Sequence, residues 1–189
     1  MATTFKADAE RSKKNADTYL ALLMKKYRCS FASTENHDNT ADAYLDQDCG
    51  IDFIFRDTQG NFYPCASRVI EMRRGGKNYD CFSVRDERAN GNRTECQKFY
   101  DVTKPRPKLN IQIFVDTAVE TAKVAIAKTE EIFNFLFKRE AETLKTKSGD
   151  VFKIAKWKDL AAAGIKVSVF KICATTGEVT KLSVEDLNF

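Results

Sequence analysis

Two strand-forming runs face each other across a turn between Asp46 and Arg74, in DQDCGIDFIFRDTQGNFYPCASRVIEMRR. Ile51 to Phe55 predicts a short strand, and Phe62 to Met72 predicts the returning one. Asp57-Thr58-Gln59-Gly60-Asn61 is the turn between them, with Gly60 free to take positive φ. A hairpin commits both runs to antiparallel pairing and sends successive side chains to opposite faces. Pro64 removes a ladder donor, so the second run is expected at an irregular or edge position. Two registers are open. One sets Asp52 opposite Ala66 and puts Arg68 on the same face. A slip by one sets Asp52 opposite Ser67 and Asp48 opposite Glu71. The loop length does not choose between them, and a bulge near Pro64 would combine features of both.

The rest of the chain frames this hairpin. Ala7 to Tyr27 has helical apolar spacing, and the polar stretch from Ser30 to Tyr44 reads as a loop. Arg73 to Lys77 (RRGGK) is a basic loop, Cys81 to Arg85 a strand, and Glu87 to Arg93 a turn. TECQKFYDV fits a strand or a short helix. Lys104 to Lys108 (KPRPK) is a stiff link into Leu109 to Asp116 (LNIQIFVD), the clearest strand of the chain. From Thr117 to Lys147 an apolar stripe of Val119, Ala122, Ile126, Ile132, Phe133, Leu136, Phe137 and Leu144 predicts one long helix, ended by Gly149. Within it, IFNFLFKR is apolar on nearly all sides, which means burial in the core or against a partner. Val151 to Ala155 predicts a strand and Trp157 to Ala163 a short helix. Ile165 to Cys173 and Val179 to Leu182 predict a closing hairpin. The expected fold class is α/β (α+β), with a mixed central sheet flanked by helices. Residues 1–189 form one domain, with a core over 7–116 and a long helix plus C-terminal strands over 117–189.

At 189 residues, 43% hydrophobic and with 14 Phe, the chain can bury a substantial core. Its six cysteines form no C-x-x-C pair and His37 is its only histidine, which argues against a structural zinc site. No phosphate-binding glycine loop is present. The first residues hold no apolar stretch of the signal-peptide kind, and no segment has the length of a membrane span. A reducing cytoplasm with free thiols is the expected location. The net charge of +4 is mild but unevenly spread. From Arg68 to Lys108 there are eleven Arg and Lys residues against six acids. Such a cluster neutralises phosphates and releases counterions. Tyr79, Phe82, Phe99 and Tyr100 interleave with it, to stack on bases or to join the core.

Carboxylates held together on adjacent strands are a rigid way to grip Mg²⁺ beside a scissile phosphate. A helix, then D-x-x-I-D-F-I-F (Asp48 to Phe55), a turn and a second strand ending in basic residues resembles the core of the PD-(D/E)XK nuclease-like superfamily. The later FSVR strand followed by G-x-x-T-E-x-x-K (Gly91, Thr94, Glu95, Lys98) is similar to some phage-encoded members. The resemblance covers about residues 10 to 116 and implies a restriction-endonuclease-like core. It implies Mg²⁺ held by Asp52 with Asp48 or Glu71. Asp52 and Glu71 would act with Arg68 and Arg73 as the catalytic set. Arg74, Lys77, Arg85, Arg88, Arg93 and Lys98 would hold nucleic acid, DNA in the first place. The sequence departs from the family where an acid, any residue and lysine are expected, for Ala66, Ser67 and Arg68 stand there. Ala66 cannot bind metal, and Arg68 stays protonated. The alternative is an inactive fold that binds a host protein in the host cytoplasm. The 117–147 helix is a candidate contact between copies of the chain.

Overall fold

Ala16, Tyr19, Leu20 and Leu23 recur at helical spacing and are all buried, so the first helix has one face to cover. That helix is α1 (Ala2–Tyr27). It ends where Arg28 turns to a φ of 55° and the Cys29 amide donates back to Met24 O at 2.9 Å. The computed structural model describes residues 2–34, 40–72, 80–138 and 141–184, so His37, Arg73, Arg74, Lys77 and Tyr79 lie outside the described residues.

After α1 come β1 (Ser30–Ser33), α2 (Thr40–Ala43) and a π turn over Tyr44–Asp48. The hairpin follows as β2 (Phe53–Arg56) and β3 (Phe62–Glu71), then β4 (Cys81–Glu87) and α3 (Glu95–Tyr100). The second half holds β5 (Leu109–Asp116), β6 (Thr121–Lys128), α4 (Thr129–Lys138), β7 (Glu142–Lys145) and β8 (Val151–Lys156). It closes with α5 (Trp157–Ala162), β9 (Ser168–Cys173) and β10 (Val179–Leu182). The main sheet has seven strands in the order β1-β2-β3-β5-β6-β9-β10, and a second sheet has the order β4-β8-β7. The β3–β5 pair is parallel and its neighbours are antiparallel, so the fold is α+β on a mixed sheet with helices on both faces.

Each face of the main sheet carries its own core. On one, α1 packs over Phe53, Cys65, Ile111, Ile113, Val124 and Ile172. On the other, α4, α5 and the second sheet pack over Phe114, Ala125 and Val169, with Trp157 at the centre. Gln112, fully buried, joins the two sheets: its Nε2 donates to Arg68 O at 3.2 Å, and its Oε1 accepts from the Ser83 amide at 3.3 Å.

Two expectations are corrected. The single helix over 117–147 is instead strand β6, helix α4 and strand β7, so the proposed contact between copies along that helix loses its basis. Ala and Lys favour helix, but TAKVAIAK also alternates. Between β5 and β9, Ala122 and Val124 meet the α1-side core region while Ala125 and Ala127 lie in the other core cluster. The hairpin turn before β6 escaped notice because it contains neither Gly nor Pro; Glu120 takes the left-handed conformation, with φ 49°. Nor is β3 at an edge: it lies between β2 and β5. Pro64 is tolerated because its carbonyl remains useful, accepting from the Lys108 amide at 2.7 Å.

Candidate anion-binding site

The hairpin follows the first of the two registers, with Phe53 opposite Cys65 and Ile54 opposite Pro64. The irregularity falls on Asp52 rather than Pro64. The Asp52 amide donates to Cys65 O at 2.8 Å, so Asp52 and Phe53 both stand against Cys65. The Asp52 carboxylate then accepts the Ser67 amide at 2.5 Å and continues the ladder where the β2 backbone leaves it.

This geometry separates the acids expected to share a metal. Glu71 lies on the α1 side, bonded to Arg11 Nε at 2.8 Å and to Asn15 Nδ2 at 2.9 Å. It is four residues along β3 from Ser67, roughly 13 Å at strand rise. Carboxylates that share one Mg²⁺ lie within about 5 Å of each other, given ligand distances near 2 Å. Asp48 is taken by Lys104, whose Nζ stands 2.6 Å from Oδ1. That hydrogen bond, with Arg93 and Lys98 nearby, lowers the Asp48 pKa. Asp48, Asp52 and Glu71 therefore do not fit a shared metal site, and no group of three or more metal-ligating side chains occurs among the described residues.

A different set converges on the opposite face of β3 from Glu71. Arg68 projects there, and its Nη2 reaches Glu95 Oε2 at 2.8 Å. From β4, Arg85 brings its Nη1 to 4.0 Å from Glu95 and its Nε to 3.4 Å from Asp150. Both guanidinium groups lie over the Phe152 ring, at 4.7 and 5.1 Å from its centroid. Thr94 caps α3 through a reciprocal pair with Gln97, which fixes the helix start and aims Glu95 and Lys98 at the cluster. Gly50, at φ 67°, lets the chain pass beside the Lys98 stem; a Cβ there would stand 3.3 Å from Lys98 Cδ. Lys98 Nζ donates to the Asp46 carbonyl at 3.0 Å.

Two of these cations lack a carboxylate in contact among the described residues. Lys98 spends one N–H on a backbone carbonyl, and Arg88 Nε is buried with no acceptor. Burial lowers the Lys98 pKa; Asp46, Asp52 and Glu95 oppose that shift, and Arg88 adds to it. Burial likewise lowers the Arg85 pKa; Glu95 and Asp150 oppose the shift, and Arg68 and Arg88 add to it. A cluster of cations that depress one another gains when an anion arrives between them. Arg93 lies on the rim, paired with Asp101 at 2.8 Å. The enclosed space beneath, bordered by Gly50, Ala66, Lys98, Asn110 and Thr129, is only about 20 Å³ and holds little more than a water. Among the described residues, an anion therefore meets this cluster at the surface.

Arg68, Arg85, Arg88 and Lys98 were candidates from the sequence, and the fold gathers them. Asp150 and Phe152 were not, because only the β4–β8 pairing brings them to Arg85. Phe99 stacks on Phe133 at 4.1 Å and Phe82 is fully buried, so those two aromatics belong to the core. Comparisons with protein-family models, curated proteins and solved structures find no match. No helix among the described residues is long and apolar enough to cross a membrane.

Proposed function

We propose that the protein binds nucleic acid through its phosphate backbone, at Arg88 and Lys98 with Arg68 and Arg85 behind them, on a nuclease-like fold. The observation that carries this reading is Arg88: a guanidinium with no carboxylate in contact among the described residues, set beside Arg85 and Lys98. A buried donor left unpaired costs about 1–3 kcal/mol. The Arg88 side chain as a whole is only half-buried, and guanidinium geometry suits phosphate. Surface contact favours binding of low sequence preference. The dispersal of Asp48, Asp52 and Glu71 favours binding over Mg²⁺-dependent cleavage by that set.

The test is fluorescence anisotropy with labelled single- and double-stranded DNA and RNA of about 20 nucleotides, in low salt. Saturable binding that Arg88→Ala and Lys98→Ala weaken supports the reading; no binding to any of them defeats it. A parallel incubation with plasmid and Mg²⁺ or Mn²⁺ should leave the DNA intact. Cleavage abolished by Asp52→Ala would restore the metal-dependent enzyme.

A second reading, a fold kept for binding a host protein, is favoured by one patch. Tyr100 and Phe137 are 50% and 39% exposed, with ring centroids 5.4 Å apart. Exposed aromatic pairs are common anchors at protein interfaces. A partner that co-purifies with the chain and is lost in Tyr100→Ser/Phe137→Ser would favour it.

A further inference from the structure

On the opposite side of the main sheet, α1, the turn after β5 and the turn after β9 enclose an open cleft of about 360 Å³. Asn15, Thr18, Tyr19, Thr117, Glu120 and Thr175 line it. The function proposed above makes no use of it.

The hydrogen-bonding state of these groups decides what the cleft would accept. Asn15 gives its Nδ2 to Glu71, which leaves the amide oxygen as an acceptor. Thr18 donates its hydroxyl to Lys14 O at 2.8 Å, and Thr175 donates its own to Glu120 Oε2 at 2.6 Å. Each hydroxyl keeps lone pairs and has used its proton. Tyr19 is 4% exposed, lines the cleft, and has no hydrogen-bond partner among the described residues. Asp116 accepts the Ala118 amide at 3.0 Å, and neither Asp116 nor Glu120 is in an ion pair among the described residues. The cleft thus offers the Asn15 oxygen, the Glu120 carboxylate and the Thr18 and Thr175 hydroxyl oxygens as acceptors, adds the Tyr19 and Thr117 hydroxyls, which can accept as well as donate, and bears negative charge. Burial, then Glu120, Cys173 and Asp116, raise the Tyr19 pKa, so the phenol stays neutral beside these acids.

We propose that this cleft binds a small organic ammonium, held by the Glu120 carboxylate, the Asn15 and threonine oxygens and the Tyr19 phenol oxygen. An ammonium offers three donors and no acceptor, which complements a wall of acceptors. Glu120 holds its place in a left-handed conformation unusual for a residue with a side chain, φ 49°, and this sets its carboxylate within reach of Thr175.

The probe is putrescine, titrated into the full ¹⁵N-labelled chain and followed by NMR, with 1,4-butanediol as the neutral control of equal length. Saturable shifts are expected at the amides of Thr18, Thr117 and Thr175, with half-saturation below about 10 mM. Glu120→Gln should weaken binding about 5-fold, a loss on the scale of one solvent-exposed charge contact. Tyr19→Phe, which keeps the packing, should weaken it about 2-fold by removing one acceptor. Shifts that stay linear, equal shifts with butanediol, or affinity untouched in both variants would overturn the assignment. So would saturation by Ca²⁺ in place of putrescine, which would make the cleft an inorganic cation site.

Discussion

Arg88 and Arg68 sit in one cluster and should answer differently to mutation. Among the described residues Arg88 Nε has no acceptor, so Arg88→Met removes an unsatisfied donor and keeps an apolar stem. Denaturant unfolding should show stability unchanged or raised, by up to about 1 kcal/mol. Arg68 is bonded to Glu95 and stacked on Phe152. Arg68→Met should cost about 1 kcal/mol, since the pair is partly open to solvent. The cations at this site were legible in the sequence because composition alone makes a basic cluster. The acids were not. Strand alternation relates residues along one strand, but the bulge at Asp52 and the parity of β3 decide which face each carboxylate takes. Glu71 went to α1 because Arg11 and Asn15 wait there, and no local pattern announces that.

At the scale of elements, β6 carries two tests. Its Lys123 reaches across to Asp80, whose carboxylate is fully buried, with contacts of 2.9 and 3.0 Å. Lys123→Met strands that charge and should cost about 3–5 kcal/mol; adding Asp80→Asn should recover much of it, as a double-mutant cycle would show. The turn leading into β6 holds Glu120 at φ 49°. Left-handed geometry costs a residue with a side chain about 1–2 kcal/mol, and glycine loses about 0.5–1 kcal/mol in chain entropy. Glu120→Gly relieves that strain but gives up the Thr175 hydrogen bond to the Glu120 carboxylate, so thermal unfolding should show stability within about 1 kcal/mol of the parent. Helices and strands with clean punctuation were readable in advance: α1, β5, and the final hairpin around Thr175 to Gly177. β6 was not, because a central strand flanked on both faces accepts Ala and Lys that, read alone, favour helix.

Over the whole molecule, both sheets draw strands from either side of Asp116: β5 pairs with β6, and β4 with β8. A fragment ending at residue 116 should accordingly show no cooperative unfolding. The two cores also sort the thiols. Cys49, Cys65, Cys81 and Cys96 are buried, while Cys29 and Cys173 are partly exposed. Burial pushes Cys65 and Cys81 up to about 12 from an ordinary value of 9.0. Hydrogen bonds from Thr176 and Thr175 lower the Cys173 pKa. A thiol reagent at pH 8 should therefore label Cys173 first, then Cys29, and the other four only on unfolding. Because the folded pKa values of Cys65 and Cys81 are raised, their contribution to stability is complete below pH 9.0 and is lost as pH climbs from there toward 12. At the acid end, Thr103 and Arg93 hold Asp101 down to about 2 from 3.8, so its contribution is present above pH 3.8 and lost as pH falls toward 2.

The most direct test of the phosphate-binding claim is the salt dependence of DNA affinity for the intact protein and for Arg88→Ala and Lys98→Ala. Each substitution should reduce the slope of log affinity against log salt by about 1 and weaken binding alike across unrelated sequences. A slope that neither substitution changes would contradict a role for these two cations in contacting the backbone.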